Sequence, residues 1–279
     1  AGGWIDGTAI EGTGTQARET VTNTGRRMGS VRLGAASLGN QSGAWLLAGS
    51  TVALGTSSND VLTNAGYFAP GGVGNIMTTN LTGSFVQSAT GTYMLDVDLD
   101  PVTDRLNVSG TAKMAGTLKL NITDPGDVRP GHENNVIVSA AGGTTNNGMT
   151  IDTIQSAVTS YALLYQGDDL VLGRTVTFTP QGTDPVARPL AYMLGAIPAS
   201  PTSTGLTRLY STLYYQPTVK ALNAMYHALD DEAQSDYQQA IIDNNDLFMA
   251  TVMQQATAWR MGGQSGRVAL GGDNCTPAG

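Results

Sequence analysis

Cysteine is nearly absent from this chain: Cys275 is the only one in 279 residues. That count excludes an internal disulfide and any zinc site built on several cysteines. Charge is scarce too, at 13% of residues, about half the usual share. The 14 Lys and Arg are outnumbered by 22 Asp and Glu, for a net charge of −8 and a pI near 4.6. No basic patch is available to neutralise phosphates, so nucleic acid is excluded as a partner. No apolar run approaches the roughly 18 residues of a membrane-spanning helix. No charged segment followed by an apolar one opens the chain, as a secretory leader would, so the sequence is expected to be mature or an internal piece of a longer one.

What remains is 41% hydrophobic, with a mean hydropathy of −0.08 and 36 glycines. Enough apolar residues are present for a core, and the Gly, Thr, Ser and Asn around them predict many short strands and turns. The clearest stretch is 83–122. Tyr93, Leu95, Val97 and Leu99 alternate there with Met94, Asp96 and Asp98, which predicts one apolar face with the carboxylates in solvent. Pro101 and Asp104 turn the chain. Leu106, Val108 and Gly110 restart the alternation, and Leu118, Leu120 and Ile122 give a third strand. Upstream, Ser30–Ala35 recurs as Thr51–Thr56, an offset of 21 residues whose next step lands on Val73. The turns beginning at Asn23 and Asn64 are 41 residues apart, close to two such steps. Short strands at a period of about 20, with Asn at the corners, predict a β-solenoid in which Asn side chains ladder from coil to coil.

Asp104-Arg105-Leu106, then Val108-Ser109-Gly110-Thr111-Ala112, then Ala115-Gly116-Thr117-Leu118 follow one another in an order that resembles the C-terminal end of bacterial autotransporter passenger domains, the pertactin-like or autochaperone region. The resemblance runs on through Val136–Val138 to Tyr165 and Leu170–Leu172. It implies a mainly β fold, a right-handed parallel β-helix over 1–180 with a capping region at about 83–180. The structural motif it implies comprises Tyr93, Leu95, Val97, Asp104, Leu106, Val108, Gly110, Gly116 and Leu118. It further implies export through the outer membrane to the bacterial cell surface or medium, with the protein's own C-terminal β-barrel, which lies outside this sequence, as partner. Scarce cysteine suits that route.

A strand is expected over Asn135–Ala140, and a hairpin of Tyr161–Tyr165 and Leu170–Leu172 turning at Gln166–Asp169. Prolines 185, 189, 198 and 201 mark 181–205 as a linker. Helical spacing then appears at Leu206, Leu209 and Leu213; at Val219, Leu222, Met225, Tyr226 and Leu229; and at Ile241, Ile242, Leu247, Ala250 and Met253. The helical segment is set at 206–262, with Pro217 in a first turn and Asp230 and Asp246 as N-caps. Residues 263–279 read as a flexible tail. Some passengers resembling this one cut themselves between two asparagines in the segment that enters the barrel, and Asn244-Asn245 offers such a pair.

Several patterns invite chemistry that their context does not support. Gly12-x-Gly14-x-x-Ala17 lacks the strand before it and the amphipathic helix after it that dinucleotide binding requires. Ala35-Ala36-Ser37-Leu38-Gly39 has the outline of a nucleophile elbow, but the two histidines, His132 and His227, fall in a turn and a helix with no triad order. Counted from Asp96, the acidic run places Pro101 and Asn107 where a calcium loop needs Gly and Glu. No metal and no cofactor is expected. The leading expectation is a non-enzymatic surface stem that supports folding and display. A released, self-assembling filament or an adhesin for a host glycan is the alternative, and a polysaccharide-active enzyme stands third.

Overall fold

A computed structural model describes residues 7–12, 18–99, 102–197, 204–231 and 249–254. The chain divides into two compact units, one up to Tyr226 and one from His227. The first is mainly β, built on a 12-stranded and a 6-stranded sheet dominated by parallel pairs.

Three runs of parallel pairing organise it. The first links Glu19–Asn23, Ala36–Asn40, Val61–Asn64, Ser84–Gln87, Ala112–Met114 and Thr144–Asn146, each to the next. The second passes from Arg26–Arg32 to Trp45–Ala53, Tyr67–Pro70, Thr92–Asp98, Thr117–Asp124 and Thr150–Asp152. The third uses the distal halves of those first two strands and continues through Thr78–Thr82 and Arg105–Val108 to Gly131–Ala140. Parallel partners need long connections, and here each connection is itself a strand of the other two runs.

Alternation sends one side-chain set of each run into a shared core. In the second run, Leu46, Phe68, Tyr93 and Leu118 lie in register and are fully buried. Phe85 of the first run reaches them, its ring 5.2 Å from Phe68 and 6.3 Å from Tyr93. In the third, Val31, Val52, Leu81, Val108 and Ala140 are stacked in the same way. Burial of each large side chain contributes about 1.5–3 kcal/mol. Outside, Trp45 and Tyr67 stack at 4.3 Å, with Arg26 over the indole.

The 21-residue offset is the true register at its first step, with Val31 opposite Val52. The second step is different: Val52 faces Leu81, and Val73 is exposed in a loop. Residues 71–77 are inserted between the strands and swing out of the pairing, so a fixed period overshoots. The stretch 83–122 also holds five strands rather than three, because Ser84–Gln87 and Ala112–Met114 intervene. Both are short and leave little alternation to read.

At the C-terminal side the pairing changes direction. Gly131–Ala140 is parallel to Arg105–Val108 on one edge and antiparallel to Asp169–Val176 on the other. Asp169–Val176 forms a hairpin with Thr159–Gln166, a longer version of the expected one. Helices follow: α1 (Arg188–Ala196), α2 (Thr204–Tyr214) and α3 (219–231), and the described residues 249–254 are helical too. α1 stands inside the stretch read as a linker. Pro189 sits in its first turn, where proline's missing N–H costs nothing. Ala191 and Leu194 are buried, as are Tyr210, Leu213 and Tyr214 of α2 and Leu222 and Tyr226 of α3. The Tyr226 hydroxyl donates to the Phe178 carbonyl at 2.8 Å and Tyr210 to that of Leu194 at 2.7 Å. α3 is capped by Thr218, whose hydroxyl accepts from the Ala221 N–H. Asp230 lies inside the helix and not at its start. Asn244, Asn245, Asp246 and Cys275 lie outside the described residues.

Candidate functional site

The residues of the sequence motif converge on one part of the core. Tyr93, Leu95, Val97, Leu106, Val108 and Leu118 are all buried. The Tyr93 hydroxyl donates to the Ile137 carbonyl at 3.3 Å, which ties the core to the strand where pairing reverses. Burial, with the nearby Asp104 carboxyl adding to it, holds the Tyr93 phenol well above its ordinary pKa. The two glycines of the motif pass against neighbouring backbone. A Cβ at Gly110 would lie 2.8 Å from the Gly83 carbonyl oxygen. Gly116 has φ +69°, and a Cβ there would lie 2.6 Å from the Ser88 carbonyl oxygen and closer still to that of Gly91. Gly116→Ala is therefore expected to cost about 1–3 kcal/mol from backbone strain alone, lowering the melting temperature by roughly 5 °C. An unchanged melting curve would show that the backbone shifts freely there.

Asp104 is the chemical centre of this region. It has no exposed surface. Its Oδ1 accepts from the Met77 N–H at 2.8 Å and its Oδ2 from the Asp96 N–H at 2.9 Å. Asp96, read from the sequence as solvent-facing, is also buried, at 2% exposure. Its side chain does point away from the core, but the inserted loop closes over it. Asp96 Oδ2 accepts from the N–H groups of Gly74 and Asn75 at 2.6 and 2.9 Å, and Oδ1 from the Asn121 amide at 2.5 Å. Alternation gave the correct face; the cover comes from a loop some 20 residues upstream.

The two aspartates thus form a latch, Asp96 holding the tip of the loop and Asp104 its exit. Burial disfavours the ionised form of Asp104, and the Asp96 charge adds to that. The two N–H donors oppose both. Burial prevails and the carboxyl is pushed up to about 8. Among the described residues no group of three His, Cys, Asp or Glu is placed to hold a metal ion. His132 Nδ1 pairs with the Thr175 hydroxyl at 2.9 Å, on the exposed edge of the reversed pairing. Ser37 is part of a parallel strand.

Two further buried polar systems are present, one without a signal in the sequence and one foreseen only in part. Arg174, 3% exposed, donates to the Leu99 carbonyl at 2.7 Å and pairs with Glu133 across the antiparallel strands. One arginine in a strand carries no local signal of such a role. The other is an amide ladder. Asn23 Nδ2 donates to Asn40 Oδ1 at 2.8 Å, Asn40 Nδ2 to Asn64 Oδ1 at 2.7 Å, and Asn64 Nδ2 to Gln87 Oε1 at 2.7 Å. All four side chains are at most 2% exposed. The Asn23 and Asn64 turns pointed to it; Asn40 and Gln87 lack the Asn-x-Gly pattern. Compared with family models, characterised proteins and solved structures, the chain gives no match.

Proposed function

We propose that this chain is a non-enzymatic structural protein of the bacterial surface or medium, the right-handed parallel β-helical stem and autochaperone-like end of an exported passenger. The observation that carries the reading is the strand Gly131–Ala140, which accepts the parallel run on one edge and an antiparallel hairpin on the other. An open parallel edge is a template for further strands. Here that edge is taken up by a hairpin whose direction does not continue the series. In a β-helical stem this is a terminating cap, and the motif residues tie it to the core through Tyr93 and Ile137. Helices α1 and α2 pack their apolar residues into the same core.

The test is location and chain ends in the native source. Biotinylation of intact cells, followed by mass spectrometry of the termini from cell-surface and culture-medium fractions, is expected to find this chain outside the cell. A surface form continuing into β-barrel sequence, or a released form ending between Asn244 and Asn245, both agree with the proposal. A chain found only in the cytosolic fraction overturns it.

A further inference from the structure

The C-terminal end of the parallel series is covered unevenly. On the first run the turn at Gly167 and Asp168 lies over the last strand: Thr144 donates its N–H to the Gly167 carbonyl at 3.1 Å and its hydroxyl to that of Asp168 at 2.7 Å. The last strand of the third run, Gly131–Ala140, takes the hairpin. The last strand of the second, Thr150–Asp152, pairs only with Thr117–Asp124 among the described residues. Its other edge borders a cleft of about 390 Å³, which the start of Thr159–Gln166 and Pro217 also line. Thr150–Asp152 and Thr159–Gln166 are the two ends of the main pairing order in the larger sheet.

The phase of the hydrogen bonds shows what these two edges present. Thr150 donates its N–H to the Gly116 carbonyl at 2.9 Å, so Thr150 and Asp152 bond toward Thr117–Asp124. Alternation turns the N–H and C=O of Ile151 and Thr153 to the outer edge. In the hairpin, Thr177 donates to the Val158 carbonyl at 2.8 Å. Val158 and Ser160 therefore face the partner strand, and Thr159 and Tyr161 turn their backbone groups away from it. All four outward residues line the cleft, and their N–H and C=O groups have no backbone partner among the described residues. The lining takes in residues 159–161 consecutively, although their side chains alternate in direction. A channel that follows a strand edge has that property; one lying on a sheet face does not. No lining side chain carries a charge.

We propose that this cleft takes an extended peptide segment of a partner protein, added as a further strand on the outer edge of Thr150–Asp152. This binding role does not depend on the stem reading. An unpaired edge is a template for strand addition, and main-chain hydrogen bonds supply the affinity in that mode. The added segment continues a parallel series that already passes through six strands. Ile151 and Thr153 bond it on one side, and Thr159 and Tyr161 offer main-chain groups on the other. A strand residue fills roughly 160 Å³ of a sheet, so the cleft admits about two or three residues, the length of the free edge. Charged side chains would meet no counter-charge in the lining. Neutral ones are expected, with an apolar side chain against Ile154, which is 52% exposed at the rim.

The test uses the whole chain and a set of capped hexapeptides that alternate Thr or Ser with Val, Ile or Tyr, followed by amide hydrogen exchange resolved by NMR. In the free chain the Ile151 and Thr153 amides are expected to exchange freely. At least one peptide is expected to slow both about tenfold or more. Methylating the nitrogens of alternate peptide residues removes the N–H groups along one edge of the added strand. At least one of the two alternating patterns is expected to weaken binding about tenfold. Thr153→Pro deletes an edge donor where proline removes no existing sheet bond, and is expected to weaken binding with little change in melting temperature. The peptide series and the exchange rates are read on wild-type protein, so they decide the matter whether or not that variant folds. Failure of every peptide to bind, binding that leaves Ile151 and Thr153 unprotected, or binding undiminished by either methylation pattern overturns the proposal. Protection of both amides before any peptide is added also overturns it: if independent of concentration, the chain fills its own edge, and if growing with concentration, a second copy does.

Discussion

Asn40→Ala is expected to lower the unfolding free energy by about 3–5 kcal/mol, on the scale of losing a large core side chain. The side chain is 1% exposed and occupies the middle of the amide ladder. Its Nδ2 serves Asn64 Oδ1 at 2.7 Å and the Tyr67 carbonyl at 3.0 Å, and its Oδ1 receives Asn23 Nδ2 at 2.8 Å. Truncation removes these bonds, together with a longer one from Nδ2 to the Ala44 carbonyl at 3.4 Å, and leaves Asn64 Oδ1 without its donor. Each orphaned buried group costs about 1–3 kcal/mol. Asn23→Ala should cost less, about 1–2 kcal/mol, because Asn23 stands at the end of the ladder and has one amide neighbour. Urea titration followed by circular dichroism reads both, through the midpoint at constant slope. Equal losses for the two variants would show that the ladder does not act as a connected unit.

Asp104 is expected to make the protein less stable as pH rises from about 4 to about 8. Below that window the carboxyl is protonated in folded and unfolded chains alike. Within it the unfolded chain releases the proton, near the usual carboxylate value of about 3.9, while the folded chain keeps it up to about 8. Unfolding therefore liberates a proton, and each unit of rising pH favours it by up to about 1.4 kcal/mol. Above about 8 both states are ionised and the contribution levels off. Asp104→Asn removes the titration, although its NH2 must face either the Met77 or the Asp96 N–H, so it begins less stable at acid pH. The difference between wild type and variant should shrink by about 3 kcal/mol between roughly pH 5 and pH 7.5. Parallel profiles would mean that Asp104 is already ionised at pH 5.

What was legible in the sequence followed from local periodicity. The alternation of Tyr93, Leu95 and Val97 placed these residues in the core, and the first repeat step gave the Val31–Val52 register directly. The hairpin and helices α2 and α3 were readable from turn chemistry and spacing. Events that depend on distant segments were not. Asp96 is buried by a loop that neither alternation nor charge could place over it, and Val73 lost its expected position to the same loop. α1 was hidden by prolines, which mark a helix start as readily as a linker.

The amide ladder also bears on which fold is chosen, apart from how firmly it is held. The strands it crosses are low in information: Val61-Leu62-Thr63, Ser37-Leu38-Gly39 and Thr20-Val21-Thr22 could slide past one another and still pair their backbones. Their connections differ in length, since Asn40 follows Asn23 by 17 residues and Asn64 follows Asn40 by 24, so chain length does not dictate alignment. A slip of one residue turns every side chain to the opposite face, and a slip of two sets an amide against Leu38 or Leu62, where nothing answers it. Only one alignment lets each amide meet another. The four residues therefore work as address labels, selecting one registry among many of similar hydrophobicity, as a single buried polar residue does in a coiled coil.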